Sequence, residues 1–158
     1  MRVEYINPFV EAAYAILTEV LQEEVKRGDL YLKASSQSVL GVAAIVGLAG
    51  DVEGRILFDM TEETALGVAS RMLESMEEEA ITTFNEMGRA SITELANMIT
   101  GRAVSALHDL GFKFDLTPPA IVTGSNMQIS DNNVEALIVP MEMSMGKIEI
   151  NVAVRERG

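Results

Sequence analysis

Two segments, 39–48 and 134–141, are apolar at nearly every position, and they constrain the fold more than any other feature of the chain. A strand with one solvated face alternates apolar and polar residues, whereas a continuous apolar run is typical of a strand covered on both faces. The cover can come from helices, from the other half of the chain or from another subunit. The sequence therefore predicts a sheet whose main strands are buried on both sides.

Around these two segments the chain repeats one pattern, an amphipathic helix followed by three strands. The predicted elements of the first unit are a helix over about 7–27 and strands near 30–35, 39–48 and 52–60. A short helix from Thr61 to about Glu74 follows. The predicted elements of the second unit are a helix from about Ala80 to Leu110 and strands near 113–123, 134–143 and 147–156. Segment 125–133 is rich in turn-forming residues and is predicted to be a loop.

The ends of the helices carry recognisable signals. Asn7 followed by Pro8 is a common helix start, because proline is favoured at the first helical position. Gly28 and Asp29 are expected to end that helix. Thr61 is the predicted N-cap of the short helix, and Gly111 is the predicted C-cap of the long one.

The length of 158 residues favours one domain, 1–158, made of duplicated halves over about 1–60 and 80–158 that are joined by a helix over about 61–75. The predicted class is α/β in the α+β sense, with a mainly antiparallel sheet packed by long helices. The apolar strands also predict a homodimer, because one such domain would not readily cover so much apolar surface.

Composition excludes several functions. A net charge of −12 disfavours nucleic acid and anionic membrane surfaces as partners, since both need clustered Lys or Arg. The chain has no cysteine, which removes thiolate chemistry, and its single histidine, His108, cannot form a multi-histidine metal centre. His108 is interpreted as a surface residue near a helix C-terminus. No signal peptide is visible and the longest apolar stretch, 39–50, is too short to span a membrane, so a cytoplasmic protein is expected.

Glu94 and Asn97 are the candidate functional pair. They are three residues apart on the predicted long helix, so both side chains share one face. The other members of that face are small or uncharged: Ala90, Gly101 and Ser105. The opposite stripe is predicted to be core: Ile92, Leu95, Ala96, Ile99, Ala103, Leu107 and Leu110. On spacing alone a solvated helix face is the more common explanation, and a second copy, Glu4 and Asn7, is interpreted as structural.

With these residues in hand, the chain resembles the CheC/CheX/FliY phosphatase family of bacterial chemotaxis, and the CheX branch most closely. The resemblance covers nearly the full length. It rests on the segments Glu94–Gly101 (ELANMITG), Leu116–Gly124 (LTPPAIVTG) and Val46–Ile56 (VGLAGDVEGRI). In this context the Glu-x-x-Asn pair, followed at a distance by proline, favours function over a solvated face.

The resemblance implies hydrolysis of the aspartyl phosphate on a CheY-like response-regulator receiver. Asn97 would orient the attacking water, and Glu94 would dock to the receiver's lysine. Mg²⁺ would belong to the receiver, so no cofactor or metal site is expected in this chain. Ala90 and Gly101 would let the helix enter the receiver's cleft, although close packing against another helix of the same protein is the alternative.

Two departures from the family pattern stand out. Ala90 occupies a position where Ser or Asp is common, while Ser91 points elsewhere. Some relatives carry two active helices, but the first helix here offers Glu11 with Tyr14 in the amide position, which predicts a single site. A non-catalytic module that binds a receiver or a flagellar-switch component is the alternative function, and a structural subunit is the third. The sequence does not identify the receiver or the pathway.

Overall fold

The computed structural model describes residues 3–33, 36–38, 40–124, 128–130 and 135–156. The helices are α1 (Val3–Leu21), α2 (Glu62–Ser75) and α3 (Glu86–Asp109). The strands of this described part are β1 (Lys26–Arg27), β2 (Tyr31–Lys33), β3 (Ser36–Ser38), β4 (Val42–Gly50), β5 (Val52–Met60), β6 (Phe114–Leu116), β7 (Ala120–Thr123), β8 (Gln128–Ser130), β9 (Ala136–Met143) and β10 (Gly146–Glu156).

One antiparallel sheet of eight strands organises the molecule. Its order is β1-β9-β10-β5-β4-β6, with β2 also beside β9 and β7 also beside β4, and β3 pairs with β8 in a separate two-stranded sheet. The central pair joins β5 to β10, from Val52 opposite Glu156 to Asp59 opposite Glu149. The predicted α+β class with a mainly antiparallel sheet and long helices is confirmed.

The pairings follow an internal two-fold pattern. If α1 is exchanged with α3 and β1–β5 with β6–β10, each strand pairing of the sheet corresponds to another pairing of the sheet. For example, β1 and β2 border β9, as β6 and β7 border β4. Each unit therefore supplies the edge of the other unit's hairpin, and α2 lies outside the pattern. The division of the chain near residues 60 and 80 stays a prediction.

Helices cover one face of this sheet and share a core with it. The buried apolar side chains of α3 are Ile92, Leu95, Ala96, Ile99, Ala103 and Leu107. They belong to one cluster with residues from α1 and from the inward face of the strands, including Leu17, Val46, Ile56 and Ile150. Burial of one such side chain contributes about 1.5–3 kcal/mol, so this cluster fixes the orientation of α3 on the sheet.

The opposite face of the sheet is buried as well, within the single chain. Its apolar residues are Ala43, Leu57, Ala136, Ile138 and Ala153, each no more than 3% exposed. The prediction that segments 39–48 and 134–141 are covered on both faces is thereby confirmed. One chain covers these faces by itself, so they do not require a second subunit, and the homodimer stays a prediction.

The first helix differs from its prediction at both ends. It begins at Val3 rather than near residue 7, so Asn7 is not its N-cap and Pro8 lies inside it. Tertiary packing overrides the local signal, because Tyr5 is buried and its ring meets that of Phe112 with centroids 5.0 Å apart. It ends at Leu21 rather than near residue 27, with Gln22 in the left-handed region at φ 54°.

The other two helices agree better with the sequence. Thr61 caps α2 by accepting a hydrogen bond from the Thr64 N–H, as predicted. The long helix starts later than expected, after the cap Asn85. Its C-cap is Leu110, and Gly111 follows with φ 97°. Leu110 was predicted to be part of the core, but it is 61% exposed, so that prediction is wrong. The N–H of Phe112 and that of Gly111 donate to the carbonyls of Leu107 and His108, which is a Schellman ending.

Strand β2 lies within segment 30–35, as predicted, while two other strand predictions need correction. Segment 113–123 breaks into β6 and β7 at Thr117–Pro118–Pro119, because proline has no N–H for the ladder. Segment 125–133 was expected to be a loop, yet Gln128–Ser130 forms β8 with β3 as partner. Residues 125–127 and 131–133 lie outside the described residues.

Candidate functional site

The stripe predicted on α3 faces solvent. Ala90, Glu94, Asn97, Gly101 and Ser105 are all exposed, and we call these five residues the α3 stripe. Asn85 sets the start of the helix, since its side chain accepts a hydrogen bond from the Gly88 N–H at 3.1 Å. Glu94 and Asn97 therefore project together from a helix whose other side is held in the core.

Hydroxyl side chains on the inner part of α3 bond within the helix. Ser91 is 8% exposed, and its Oγ donates to the Met87 carbonyl at 2.9 Å. Thr100 is 2% exposed, and its Oγ1 donates to the Ala96 carbonyl at 2.7 Å. As predicted, Ser91 points away from the α3 stripe.

The heads of Glu94 and Asn97 are available to a partner. Within the described part of the chain, neither side chain has a hydrogen-bond or ion-pair partner. A carboxylate accepts hydrogen bonds only, whereas a carboxamide both accepts and donates. The pair can thus offer a negative charge and a two-way hydrogen-bonding group to another surface at once. The roles assigned to these residues stay predictions.

The small residues beside the pair leave open space. A Cβ added at Gly101 would meet nothing within 4 Å, and Ala90 is exposed. Packing against another helix of the same protein therefore does not account for Gly101. A glycine inside a helix costs roughly 1 kcal/mol relative to alanine, so its presence here is not explained by the stability of the isolated chain.

The segment 116–124 lies beside α3, and a side-chain hydrogen bond joins them. Arg89 Nη2 donates to Thr123 Oγ1 at 3.2 Å. On the other side of the helix, Arg102 Nη1 lies 3.3 Å from Glu19 Oε1 of α1. The contact between Arg89 and Thr123 was not predicted from the sequence, because 34 residues separate them in the chain. The one sequence feature that pointed to this contact is that Thr123 lies within the family-like segment Leu116–Gly124.

The remaining residues of the family-like segments have structural roles. Thr117 interrupts the β6–β7 edge and bonds twice to Gly47, through its N–H at 3.0 Å and its Oγ1 at 2.8 Å. At Gly54, φ is 140° and an added Cβ would lie 2.0 Å from the Ala153 carbonyl oxygen, so only glycine fits there. The Thr117 contacts hold the β6–β7 segment against β4, and Gly54 lets β5 approach β10 closely.

The corresponding helix of the first unit looks different. Glu11 is exposed, but Tyr14 is half-buried, and the Arg27 guanidinium carbon lies 4.9 Å from the centre of its ring. The side chain in the amide position is thus aromatic and covered by a cation. Glu4 and Asn7 are both exposed within α1, so the capping role that explained this second copy of the motif is wrong.

The ionisable groups with clearly perturbed pKa values lie away from the α3 stripe. Asp59 is 2% exposed, and burial raises its pKa to about 6, although the Leu40 N–H that donates to it at 2.9 Å opposes the shift. Its cross-strand neighbour Glu149 accepts a hydrogen bond from Tyr31, whose pKa is raised to about 12 by burial and by that bond. These groups belong to the sheet face opposite the helices.

Two properties of the described residues bear on metal binding and on membrane insertion. No set of three or more His, Asp or Glu side chains among them is grouped so that it could hold a metal ion. None of the three described helices combines the length and the apolar character that crossing a membrane requires. His108 is exposed in the last turn of α3, as predicted, with its ring 5.4 Å from that of Phe114.

Comparison with known proteins agrees with this fold. The family model described as chemotaxis phosphatase CheX matches residues 42–142. The CheY-P phosphatase CheX of Thermotoga maritima is 27% identical over 158 residues, which is the whole of both chains. A chain of the CheX-CheY-BeF3-Mg²⁺ complex from Borrelia burgdorferi is 46% identical with a TM-score of 0.82, and the match covers 98% of this chain and 100% of that one.

A CheC-like superfamily protein from Shewanella sp. PV-4 is 27% identical with a TM-score of 0.85, over 98% of this chain and 99% of that one. The fold and the exposed Glu-x-x-Asn helix thus define a protein of the CheC-like class. The match to the family model spans more than half of the chain, and the chain belongs to the chemotaxis phosphatase CheX family.

Proposed function

We propose that this protein hydrolyses the aspartyl phosphate of a CheY-like receiver domain. The observation that carries the proposal is the position of Glu94 and Asn97, which are exposed and unpartnered within the described residues of a chain that belongs to this phosphatase family. The relative that is 46% identical forms a complex with CheY, BeF3 and Mg²⁺, which supports a receiver as partner. A cytoplasmic location is proposed with it, because that is where a receiver would be met.

Asn97 is the proposed catalytic residue. An acyl phosphate is already activated, so the reaction needs no nucleophile from the enzyme, and positioning and charge neutralisation supply most of the catalysis. The Asn97 carboxamide would accept a hydrogen bond from a water and donate one to it, holding its oxygen in line with phosphorus. Asparagine is not a general base at neutral pH, so its role is orientation. Mg²⁺ would be held by the receiver's acidic cluster.

Glu94 is the proposed docking residue. Its carboxylate would pair with the lysine of the receiver's active site and thereby set the position of Asn97 over the phosphate. Ala90 and Gly101 would allow the backbone of α3 to approach the receiver closely. Since a Cβ at Gly101 meets nothing in the free protein, the glycine is explained by a partner that comes near.

The decisive experiment measures phosphate release from a phosphorylated receiver with the protein present at substoichiometric amounts. A phosphatase accelerates the loss of phosphate through many turnovers. A non-catalytic binding module would bind the receiver without acceleration, or would protect its phosphate. A structural subunit would do neither, and Asn97→Ala would then change nothing.

Gly101→Gln separates docking from folding. Glutamine is a better helix former than glycine, so the variant should be as stable as the wild type or more stable by about 0.5 kcal/mol. Its longer side chain should raise KM several-fold by blocking close approach. Thermal unfolding and steady-state kinetics check the two expectations, and an unchanged KM would contradict a docking role for this position.

We also propose that the protein is a homodimer joined through a sheet edge. The support is the edge at β2, where Leu30 is 56% exposed and Leu32 62% exposed, because an apolar edge is a liability unless it is paired. This edge would leave α3 free, with one site per protomer. Light scattering that shows a monomer at micromolar concentration would refute the dimer. An interface that buries Asn97 would refute its arrangement.

A further inference from the structure

Two arginines of α3 flank the α3 stripe on opposite sides. At about 100° per residue, Arg89 lies about 80° around the axis from Asn97, and Arg102 lies about 80° from Glu94 on the far side. Both arginines are exposed, and each is held by a neighbouring element. Thr123 of β7 holds Arg89, and Glu19 of α1 holds Arg102.

The two arginines differ in the charge of their partners. The Glu19 carboxylate offsets the charge of Arg102, with Nη1 and Oε1 3.3 Å apart. The Thr123 hydroxyl that accepts from Arg89 is neutral. Among the described residues no carboxylate forms an ion pair with Arg89. Arg89 therefore presents, at the border of the stripe, a positive charge that no ion pair within the described residues offsets.

The positive charge of Arg89 affects partner binding because the chain as a whole is strongly negative. The net charge of this chain is −12. The phosphoryl group and the Mg²⁺-binding carboxylates of the proposed receiver would bring further negative charge to the surface that meets α3. Two negative surfaces repel unless cations stand at the point of contact, and such cations act mainly on association rate and its salt dependence.

We propose that Arg89 is a docking residue for the acidic rim of the phosphorylated partner, and that Thr123 is its positioning residue. The proposal rests on the proposed function, whose partner it specifies further. Thr123 pairs with Val42 in the sheet, and the following Gly124 N–H donates to the Gly41 carbonyl at 3.0 Å, so its hydroxyl stands at a fixed place. Holding a long side chain in one conformation before binding lowers the entropy lost on binding.

The test compares Arg89→Gln with Arg102→Gln, which removes the same group from the other flank of the same helix. Affinity is measured for a receiver loaded with Mg²⁺ and beryllofluoride, and kcat and KM are measured with the phosphorylated receiver, each at low and at high ionic strength. At low ionic strength, Arg89→Gln should raise Kd and KM roughly fivefold and leave kcat unchanged. Arg102→Gln should change them by less than about twofold, because its charge is already offset.

Two further variants refine the assignment. Thr123→Val keeps the shape and removes the hydroxyl, and it should weaken binding less than Arg89→Gln does. Arg89→Lys keeps the charge and should recover part of the affinity. At high ionic strength the difference between Arg89→Gln and the wild type should shrink.

Equal effects of Arg89→Gln and Arg102→Gln would overturn the inference, as would a loss that does not depend on salt or one confined to kcat. A wild-type protein that neither binds nor dephosphorylates the receiver would overturn the proposed function, and this inference with it. The two failures are distinguishable, because the first leaves wild-type activity intact.

Discussion

Helices α1 and α3 occupy equivalent places in the two units and pack in the same core, yet their outer faces differ. The outer face of α3 carries an exposed Glu-x-x-Asn pair and a glycine with open space above it. At its border lies an arginine that has no ion-pair partner among the described residues. The outer face of α1 carries glutamates without any Lys or Arg in the helix, and its Tyr14 is covered by Arg27. The inner faces are constrained by packing, so the outer faces are where a duplicated fold can acquire or lose a site.

The difference between the two helices predicts that the largest loss of activity follows removal of the Asn97 carboxamide on α3. Asn97→Ala should lower kcat for receiver dephosphorylation by about 100-fold or more, since preorganised hydrogen-bonding groups typically contribute this much. The fold should remain intact, because Asn97 is exposed and its truncation opens no cavity. Asn7→Ala on α1 is the matched control and should leave kcat unchanged. Activity of the Asn97 variant within about threefold of the wild type would remove the assignment.

The next effect is expected at the carboxylate. Glu94→Lys should raise Kd for the receiver by about tenfold or more, because it brings a like charge against the receiver's lysine, and Glu94→Ala should do less harm. Glu11→Lys makes the same change of charge on α1 and serves as the control. Affinity can be measured with the beryllofluoride-loaded receiver, and normal binding by Glu94→Lys would exclude the ion pair.

Away from α3, changes should alter stability and not catalysis. The pKa of Asp59 is raised to about 6 in the folded protein, so the folded state binds more protons than the unfolded state between about pH 4 and 6, and stability falls as pH rises through that window. Asp59→Asn keeps an acceptor for the Leu40 N–H without the charge. It should increase the free energy of unfolding at pH 7.5 by on the order of 2 kcal/mol and leave kcat unchanged. Denaturant titrations above and below the window test this, and equal stability of both proteins at pH 7.5 would contradict it.

The smallest expected effect is at Glu11. If α1 carries no second site, Glu11→Ala should leave kcat and KM within about twofold of the wild type, as exposed substitutions usually do. A large loss would mean that both helices are catalytic. Tyr14→Asn asks the reverse question, and a gain in activity would show that the first unit keeps a latent site.

Hydrophobic periodicity and sequence motifs were enough to predict much of the fold and much of the candidate site. Thr61 as a cap, strand 52–60 and the exposed side of α3 follow from local chemistry and periodicity, and all agree with the structure. The start of α1 did not follow, because burial of Tyr5 outweighs the cost of Pro8 inside the helix. The pairing of Arg89 with Thr123 could not be predicted either, since it depends on how β7 is aligned beside β4.

The crossed pairing of the sheet has a consequence for how the chain acquires its structure. The central strands β5 and β10 join residues between 90 and 104 positions apart, and the outer strands β2 and β7 also pair with a strand of the other unit. Contacts of such long sequence separation slow folding. During synthesis the β4–β5 hairpin can form early, but its apolar surface stays exposed until strands from later in the chain pack beside it. Strand β10 lies between β9 and β5, so the two halves of the sheet cannot join before β10 has been synthesised.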